Sequence, residues 1–222
     1  SLPDTSYSIS HGDEISTELI DDFSALGYRP YRLVPGLGIL APIGPVNLLD
    51  PYQLNLFCCK PDRARLLEDK GLLYTREAVP PRIEDPAAWR QKLERMPCFK
   101  TSAGPWWFAG KEEPIDGWNH YENALNYYTY AHASDQPAHA RHASLTLSRD
   151  ALSLAIQESP TIPRMLTFAR VLSELGERQA SLNSIDRVLK LLVSGQAITI
   201  SEPLLPVLER FDRIVPKDMG NW

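Results

Sequence analysis

The chain has 222 residues, of which 43% are hydrophobic and 23% are charged, and its formal net charge is −5. This is the composition of an ordinary globular protein, and the acidic balance excludes a dedicated nucleic-acid binder, whose affinity depends on neutralising phosphates. No run approaches the roughly 20 apolar residues that span a bilayer, and the opening residues lack the pattern of a signal peptide. We therefore expect a cytoplasmic protein with neither nucleic-acid nor membrane partners.

The first part of the chain predicts a helix followed by a β-hairpin. Ser16 is a candidate N-cap, and Gly27 stands where a glycine ends a helix. The hydrophobic period then changes from 3.6 to 2 over Tyr28–Val34 and Ile39–Pro42, which predicts two strands. Because Pro30 has no N–H to donate to a ladder, we expect the first strand to lie at an edge of the sheet.

The remaining elements are one strand and six helices. The strand is predicted over Leu54–Cys59, and Pro61 suits the first turn of the helix that follows it. Short connections between the later helices favour antiparallel packing. The six helices are predicted over Asp62–Lys70, Pro86–Arg95, Trp118–Ala133, Ala138–Glu158, Pro163–Leu175 and Ala180–Val193.

These patterns predict an α+β fold: a small, mostly antiparallel β segment with flanking helices, followed by an α-helical region. We place the boundary near residue 76, so that residues 1–75 form the α/β segment and residues 76–222 the mainly helical region with proline-rich connections. Cys58, Cys59 and Cys98 have neither zinc-type spacing nor an even count, which favours free thiols in a reducing compartment.

The last helix pair resembles a tetratricopeptide repeat over Phe168–Ala180. Leu175 and Gly176 end the first helix, and the small Ala180 opens the second, which lets the two helices approach closely. A plain helical hairpin has similar features. Because two such pairs fall short of the three or so repeats that are stable alone, we expect them to pack against the rest of the chain.

A second resemblance covers the β segment. The run Leu26–Gly36 resembles the C-terminal segment of FkbM-type S-adenosylmethionine-dependent methyltransferases, in which a helix ends in Gly-Tyr and leads to the last antiparallel strands of the sheet. Asp50–Phe57 and Lys60–Arg63 are similar to larger members with an added helical region, as are Glu202–Pro206 and Arg210–Asp212. The resemblance implies methyl transfer from S-adenosylmethionine to a hydroxyl group in the complete enzyme.

The motifs that would bind this cofactor are missing from the sequence. There is no glycine-rich GxGxxG-type turn, and the family's central Asp-Val-Glu-Gly motif is also absent. We therefore expect no cofactor to bind this chain alone and no complete catalytic site in it. The leading hypothesis is the C-terminal portion, or a relative, of a FkbM-like O-methyltransferase; the alternative is a non-enzymatic helical-repeat module that binds a protein partner.

Five residues are candidates for a functional site. A short strand is also predicted over Tyr7–Ser10, and His11 lies at its end, before Gly12, where α/β proteins place functional groups. His11 is therefore a weak catalytic candidate; the alternative is an ordinary surface histidine. Trp106 and Trp107 could stack on a saccharide or a protein partner, or could fill the seam between the two parts. Tyr127 and Tyr128 could line a groove of the helical region, although an aromatic stripe is commoner in packing.

Three histidines of the helical region offer a further pattern. His139 and His142 have the i, i+3 spacing that brings two side chains to one helix face, and His132 lies nearby. No carboxylate or cysteine nearby completes a metal set, so we expect a solvated histidine face and no metal site.

Overall fold

The structure of the protein is a computed structural model. It describes residues 18–44, 50, 55–75, 79, 83, 85–99, 115–194 and 202–215. Within these ranges the chain forms three strands and seven α-helices in the order α-β-β-β followed by six helices. The predicted α+β class is confirmed: the strands form one small antiparallel sheet, and the C-terminal region is helical.

The sheet is built from three short strands. Helix α1 (Glu18–Ala25) ends before Gly27, whose φ of 80° is the left-handed conformation expected of a terminating glycine. Strands β1 (Arg29–Val34) and β2 (Ile39–Pro42) form the predicted hairpin. Strand β3 (Phe57–Cys59) pairs with the other side of β1, so the strand order is β2-β1-β3 and both pairings are antiparallel.

The prediction that Pro30 marks an edge strand is wrong, because β1 is the central strand. Pro30 lies opposite Cys58 of β3. On the other side, the pairing of β1 with β2 begins one residue later, at Tyr31 and Pro42. The proline therefore stands just beyond the end of the β1–β2 ladder, where no N–H is required of it.

Two short helices follow the sheet. Helix α2 (Pro61–Asp69) has its proline in the first turn, as predicted. The chain then returns along the outer edge of β2, where the Leu40 N–H donates to the Leu72 carbonyl oxygen at 2.8 Å. Helix α3 (Ala88–Arg95) buries Trp89 and Leu93 and is followed by a short 3-10 turn.

Four longer helices form two antiparallel hairpins: α4 (Trp118–Ala131) with α5 (Ala138–Glu158), and α6 (Ile162–Leu175) with α7 (Arg178–Val193). Each helix packs on the next one along the chain. Gly176 ends α6 with a φ of 84°.

The contact between α6 and α7 uses small hydroxylated residues. Ser181 Oγ donates to the Ala169 carbonyl oxygen at 2.7 Å, and Ser184 Oγ donates to the Met165 carbonyl oxygen at 2.9 Å. Both serines are buried in the face of α7 that meets α6. Their short side chains allow the close approach that the sequence predicts for this pair.

The sheet and the helices share one hydrophobic core. Val34 and Ile39 of the hairpin belong to the same buried cluster as Leu125 of α4, Leu152 of α5 and Val171 of α6. The helical hairpins thus pack against the β segment, as expected of an array of only two pairs. Because this core contains residues from both sides of residue 76, the division into 1–75 and 76–222 stays a prediction.

Candidate functional site

The structure describes two of the five candidate residues. Tyr127 and Tyr128 both lie on α4, and His11, Trp106 and Trp107 lie outside the described residues. Tyr128 is only 4% exposed, and its hydroxyl group donates to Glu174 Oε1 at 3.0 Å. Tyr127 is half-buried. Tyr128 is therefore placed for packing, and Tyr127 is the tyrosine of this pair that a partner could reach.

Tyr128 belongs to a buried polar network centred on Glu174. Arg170 Nε donates to Glu174 Oε1, and the other guanidinium nitrogens of Arg170 lie 3.2–3.3 Å from the two Asp212 carboxylate oxygens. His132 Nε2 is 3.0 Å from Glu174 Oε2. Burial alone would raise the pKa of Glu174, but hydrogen bonds and charges from His132 and Arg170 outweigh it and lower this pKa below its ordinary value.

The β-hairpin closes directly over this network. The Gly36 N–H donates to the Glu174 carbonyl oxygen at 2.9 Å. A Cβ atom at position 36 would lie only 2.3 Å from Glu174 Cβ, so a glycine is required for this approach. The turn between β1 and β2 and the last turn of α6 therefore fit together through one glycine.

Lys92 of α3 also lies beside this network. Its Nζ lies 5.0 Å from the centre of the Tyr128 ring, a cation–π contact. Burial lowers the pKa of Lys92 to about 8, with Arg170 adding to the effect and the carboxylates of Glu174 and Asp212 opposing it. An amine with this pKa exchanges its proton close to neutral pH, a property that both general bases and ordinary buried lysines share.

A second polar cluster joins the sheet to α5. Arg32 of β1 donates to the Leu175 carbonyl oxygen at 2.6 Å and lies 3.2 Å from His142 Nε2. Because a guanidinium only donates, His142 Nε2 must accept, which places the imidazole proton on Nδ1, 2.6 Å from the Tyr74 hydroxyl oxygen. Burial, together with the nearby cations Arg32 and Arg149, lowers the pKa of His142 to about 4.

The expectation of a solvated histidine face is therefore wrong for two of its three members. His142 is held in the sheet–helix junction by Arg32 and Tyr74, and His132 is held by Glu174. Helix spacing alone could not reveal this, because the partners come from distant parts of the chain. Among the described residues no group of three metal-ligating side chains is brought together.

An extended stretch near the end of the chain, Glu202–Pro206, is buried between α4 and α6. Arg164 of α6 is fully buried, and its Nε donates to both carboxylate oxygens of Glu202 at 3.0 Å. Thr161 Oγ1 donates to the same carboxylate at 2.6 Å. The ion pair is shielded from water on every side, since the two side chains are 0% and 2% exposed.

The backbone of this stretch is also hydrogen-bonded to both helices. The Tyr121 hydroxyl group donates to the Pro203 carbonyl oxygen, and the Leu205 N–H donates to Thr167 Oγ1 at 3.0 Å. Arg170 donates to the Pro206 carbonyl oxygen at 3.0 Å. The space between α4 and α6, where a helical-repeat module would hold a peptide, is thus filled by the chain itself.

A shallow cleft of about 330 Å³ opens at the first turn of α4. Its walls include His120 and Glu158, whose Nε2 and Oε1 atoms are 3.3 Å apart and whose side chains are 40% and 48% exposed. The pair is open to solvent, so the cleft offers hydrogen bonds to a small polar molecule but no dry environment for catalysis.

Two further findings concern the described part of the chain. None of its helices is long and apolar enough to cross a membrane. The three cysteines are free thiols, and burial raises the pKa of Cys98 to about 12, so this thiol stays protonated at neutral pH.

The charged residues of the core were not singled out by sequence reasoning. Arg170 and Glu174 stand at i, i+4 on α6, the spacing of ordinary exposed helix pairs, and Arg164 lies in the first turn of the same helix. Their burial depends on Glu202 and Asp212, which are separated from them by the whole of α7. The only signal of this burial in the sequence is the position of the charged residues within an otherwise apolar helix.

Comparison of the chain with protein-family models, with curated proteins and with solved structures found no match.

Proposed function

We propose that this chain is the C-terminal portion, or a relative, of a FkbM-like S-adenosylmethionine-dependent O-methyltransferase, in which it completes the edge of the sheet. The observation that carries the proposal is the unit formed by α1, Gly27, β1 and β2. A helix that ends at Gly27-Tyr28 and enters an antiparallel strand pair is the arrangement that the resemblance implies.

The open edge of β3 supports the same proposal. The outer edge of β2 is partly covered by the backbone of Leu72–Tyr74, whereas no strand in the described ranges pairs with the outer side of β3. Phe57 on this strand is 37% exposed. Unpaired strand edges are normally blunted or covered, so an edge of this kind is suited to continuing into a larger sheet.

The described residues do not fit S-adenosylmethionine. The family's site needs a glycine-rich turn between a parallel strand and a helix, and the three strands described here pair only antiparallel. The described glycines with positive φ lie in the hairpin turn or at the ends of helices: Gly27, Gly38, Gly71, Gly117 and Gly176. The described residues therefore support a structural contribution to the proposed enzyme, through the sheet edge and the packed helical hairpins.

Calorimetric titration with S-adenosylmethionine tests the proposal on two samples: this 222-residue chain, and the product of the native gene from which it comes. We expect no saturable heat from the chain alone. We expect saturable binding by the native product and transfer of a radiolabelled methyl group to a hydroxyl-bearing acceptor. A native product that neither binds the cofactor nor contains a glycine-rich loop after a strand would contradict the proposal.

That contradictory outcome would favour a non-enzymatic helical module, the second candidate. The observation that favours such a module is the pair of antiparallel hairpins α4–α5 and α6–α7. Because Glu202–Pro206 fill the space between α4 and α6, such a module would bind its protein or saccharide partner through another surface. Tyr127 is the candidate contact to change, since Tyr128 is part of the core.

A further inference from the structure

The imidazole ring of His132 lies between two oxygen atoms that can only accept hydrogen bonds. Its Nδ1 is 2.8 Å from the Tyr128 carbonyl oxygen, one turn earlier on α4, and its Nε2 is 3.0 Å from Glu174 Oε2 on α6. Neither a carbonyl oxygen nor an ionised carboxylate has a hydrogen to donate. A ring nitrogen without a proton would therefore set its lone pair against that of an oxygen at hydrogen-bond distance.

Glu174 is a carboxylate in the folded chain and does not supply the missing proton. Burial alone would raise the pKa of Glu174, but the hydrogen bonds and charges of His132 and Arg170 lower it below its ordinary value. Its other oxygen, Oε1, already accepts from Arg170 Nε and from the Tyr128 hydroxyl group. Because both neighbours of the ring are acceptors, both nitrogens of His132 have to act as donors.

The surroundings of His132 favour a positive charge on the ring. His132 is the C-cap residue of α4, where the unpaired carbonyl groups of the helix end form the negative pole of the helix dipole. The ring also lies on that of Tyr128, with 4.3 Å between the ring centres and an interplanar angle of 37°. An aromatic face attracts a cation at this distance. An imidazolium is thus stabilised by the helix end and by the aromatic ring.

The charge balance of the cluster also favours a protonated His132. Arg170 is shared between two carboxylates, since it forms ion pairs with both Glu174 and Asp212. Glu174 forms its second ion pair with His132. A protonated His132 therefore gives the two carboxylates two cations in direct contact. Further cations beside the cluster come from α3 and α5: Lys92 and Arg141.

We infer that His132 carries a proton on both ring nitrogens at neutral pH and serves as a pH-sensitive clasp between the ends of α4 and α6. Loss of one of these protons at higher pH leaves a lone pair facing an acceptor, so the contact opens. The Gly36 N–H is bonded to the Glu174 carbonyl oxygen, and the β-hairpin therefore loosens together with the end of α6. The His132 side chain is 21% exposed, so solvent reaches the ring in the folded chain.

Nuclear magnetic resonance of the isotope-labelled full chain tests the protonation state directly. Long-range proton–nitrogen correlation spectra distinguish a ring nitrogen that bears a proton from a bare one. At pH 7 we expect both nitrogens of His132 to bear a proton. One nitrogen of His142 should be bare, because its Nε2 accepts from Arg32, and this ring is the internal control. His132→Gln and His142→Gln assign the signals.

Amide hydrogen exchange tests the clasp. The protection of the Gly36 amide, corrected for the pH dependence of the intrinsic exchange rate, should fall by about tenfold between pH 7 and pH 9, the loss expected of one hydrogen bond to a charged group. In His132→Gln, whose side chain has no charge to lose, the protection should be lower at pH 7 and should fall by less. His139→Gln changes another histidine, on α5, and should keep the wild-type profile.

The comparison of the two proteins accounts for the other titratable groups of the cluster. Burial lowers the pKa of Lys92 to about 8, so this amine also changes charge in the same range, but it does so in the wild type and in His132→Gln alike. Burial raises the pKa of Tyr128 well above its ordinary value, so its hydroxyl group stays neutral throughout. The difference between the two profiles therefore isolates His132, and circular dichroism checks that each variant is folded.

Two results would overturn the inference. A bare ring nitrogen on His132 at pH 7 would do so without any variant having to fold. Parallel protection profiles for the wild type and a folded His132→Gln would show that the ring does not hold the junction closed. Because neither measurement involves S-adenosylmethionine, the clasp and the methyltransferase proposal can fail independently.

Discussion

At the scale of single residues, the absence of a side chain at Gly36 decides how the sheet meets the helices. Its N–H is bonded to the Glu174 carbonyl oxygen, and the space that a Cβ would need is already taken by the Glu174 side chain. Glu174 in turn is fixed by Arg170, His132 and Tyr128. A methyl group at position 36 would therefore push against a carboxylate that cannot move away.

We expect Gly36→Ala to lower the free energy of unfolding by about 1–3 kcal/mol, the usual cost of overpacking a well-filled site. Urea denaturation followed by circular dichroism measures it. Gly44→Ala is the matched control, because nothing lies within 4 Å of a Cβ at Gly44, and its midpoint should stay close to that of the wild type. Equal midpoints for the two variants would show that Glu174 yields without cost.

At the scale of elements, the junction between β1 and α5 depends on an uncharged histidine. His142 lies between the Arg32 guanidinium and the Tyr74 hydroxyl group, and Arg149 is a second nearby cation. Protonation would bring a third positive charge to this half-buried site. Desolvation and the two arginines thus hold the pKa of His142 well below its ordinary value.

We expect acid to weaken this junction over a definite pH window. The pKa of His142 is 6.5 in the unfolded reference and about 4 in the folded chain, so the unfolded state binds more protons between these values. Stability is therefore fully present above about pH 6.5 and falls as the pH approaches 4, by about 3 kcal/mol at most.

The free energy of unfolding, measured from pH 7 to pH 4.5 on the wild type and on His142→Gln, checks this expectation. The variant should be less stable at pH 7, because it loses its hydrogen bonds, but its stability should fall less steeply with acid. His139→Gln is the control and should keep the wild-type slope. Parallel curves for the wild type and His142→Gln would contradict the assignment.

The elements show which features can be predicted from a sequence. Helix bounds such as Ala138–Glu158 and the hairpin of β1 and β2 follow from hydrophobic period, glycines and prolines, which act locally. The position of β1 in the sheet does not follow from such local signals. Pro30 is compatible with a central strand, because the ladder between β1 and β2 starts only at Tyr31.

The candidate site was harder to predict than the helices. Tyr128 and His142 depend on partners 46 and 68 residues away, and no local pattern identifies such partners. Of the aromatic candidates, only Tyr127 keeps a partly exposed position among the described residues. The His11, Trp106 and Trp107 assignments stay predictions.

At the scale of the whole molecule, the ion pair of Arg164 and Glu202 closes the core. Arg164 also donates to the carbonyl oxygens of Asp116, Ala155 and Ser159, so its guanidinium joins the loop before α4 and the C-terminal end of α5 to the stretch that follows α7. Such a pair contributes little net stability when intact, but its disruption leaves a buried charge without compensation.

We expect Glu202→Gln to lower the free energy of unfolding by about 3–5 kcal/mol, because Arg164 keeps its charge and has no water to solvate it. Asp150→Asn is the control: Asp150 is paired with Arg149 at 2.8 Å but is 54% exposed, and its loss should cost less than about 1 kcal/mol. Urea denaturation at neutral pH measures both. Equal small losses would mean that water reaches Arg164 in the variant.

The burial of Glu202–Pro206 between α4 and α6 also sets an order of events during synthesis. Both helices leave the ribosome before residue 202 has been made, so for that interval the nascent chain has Arg164 without its carboxylate and the flanks of α4 and α6 uncovered. Domains ordinarily fold as they emerge from the ribosome. This core, in contrast, cannot be completed before Glu202–Pro206 have been made. Until Glu202–Pro206 have emerged, the nascent chain therefore leaves these flanks of α4 and α6 uncovered.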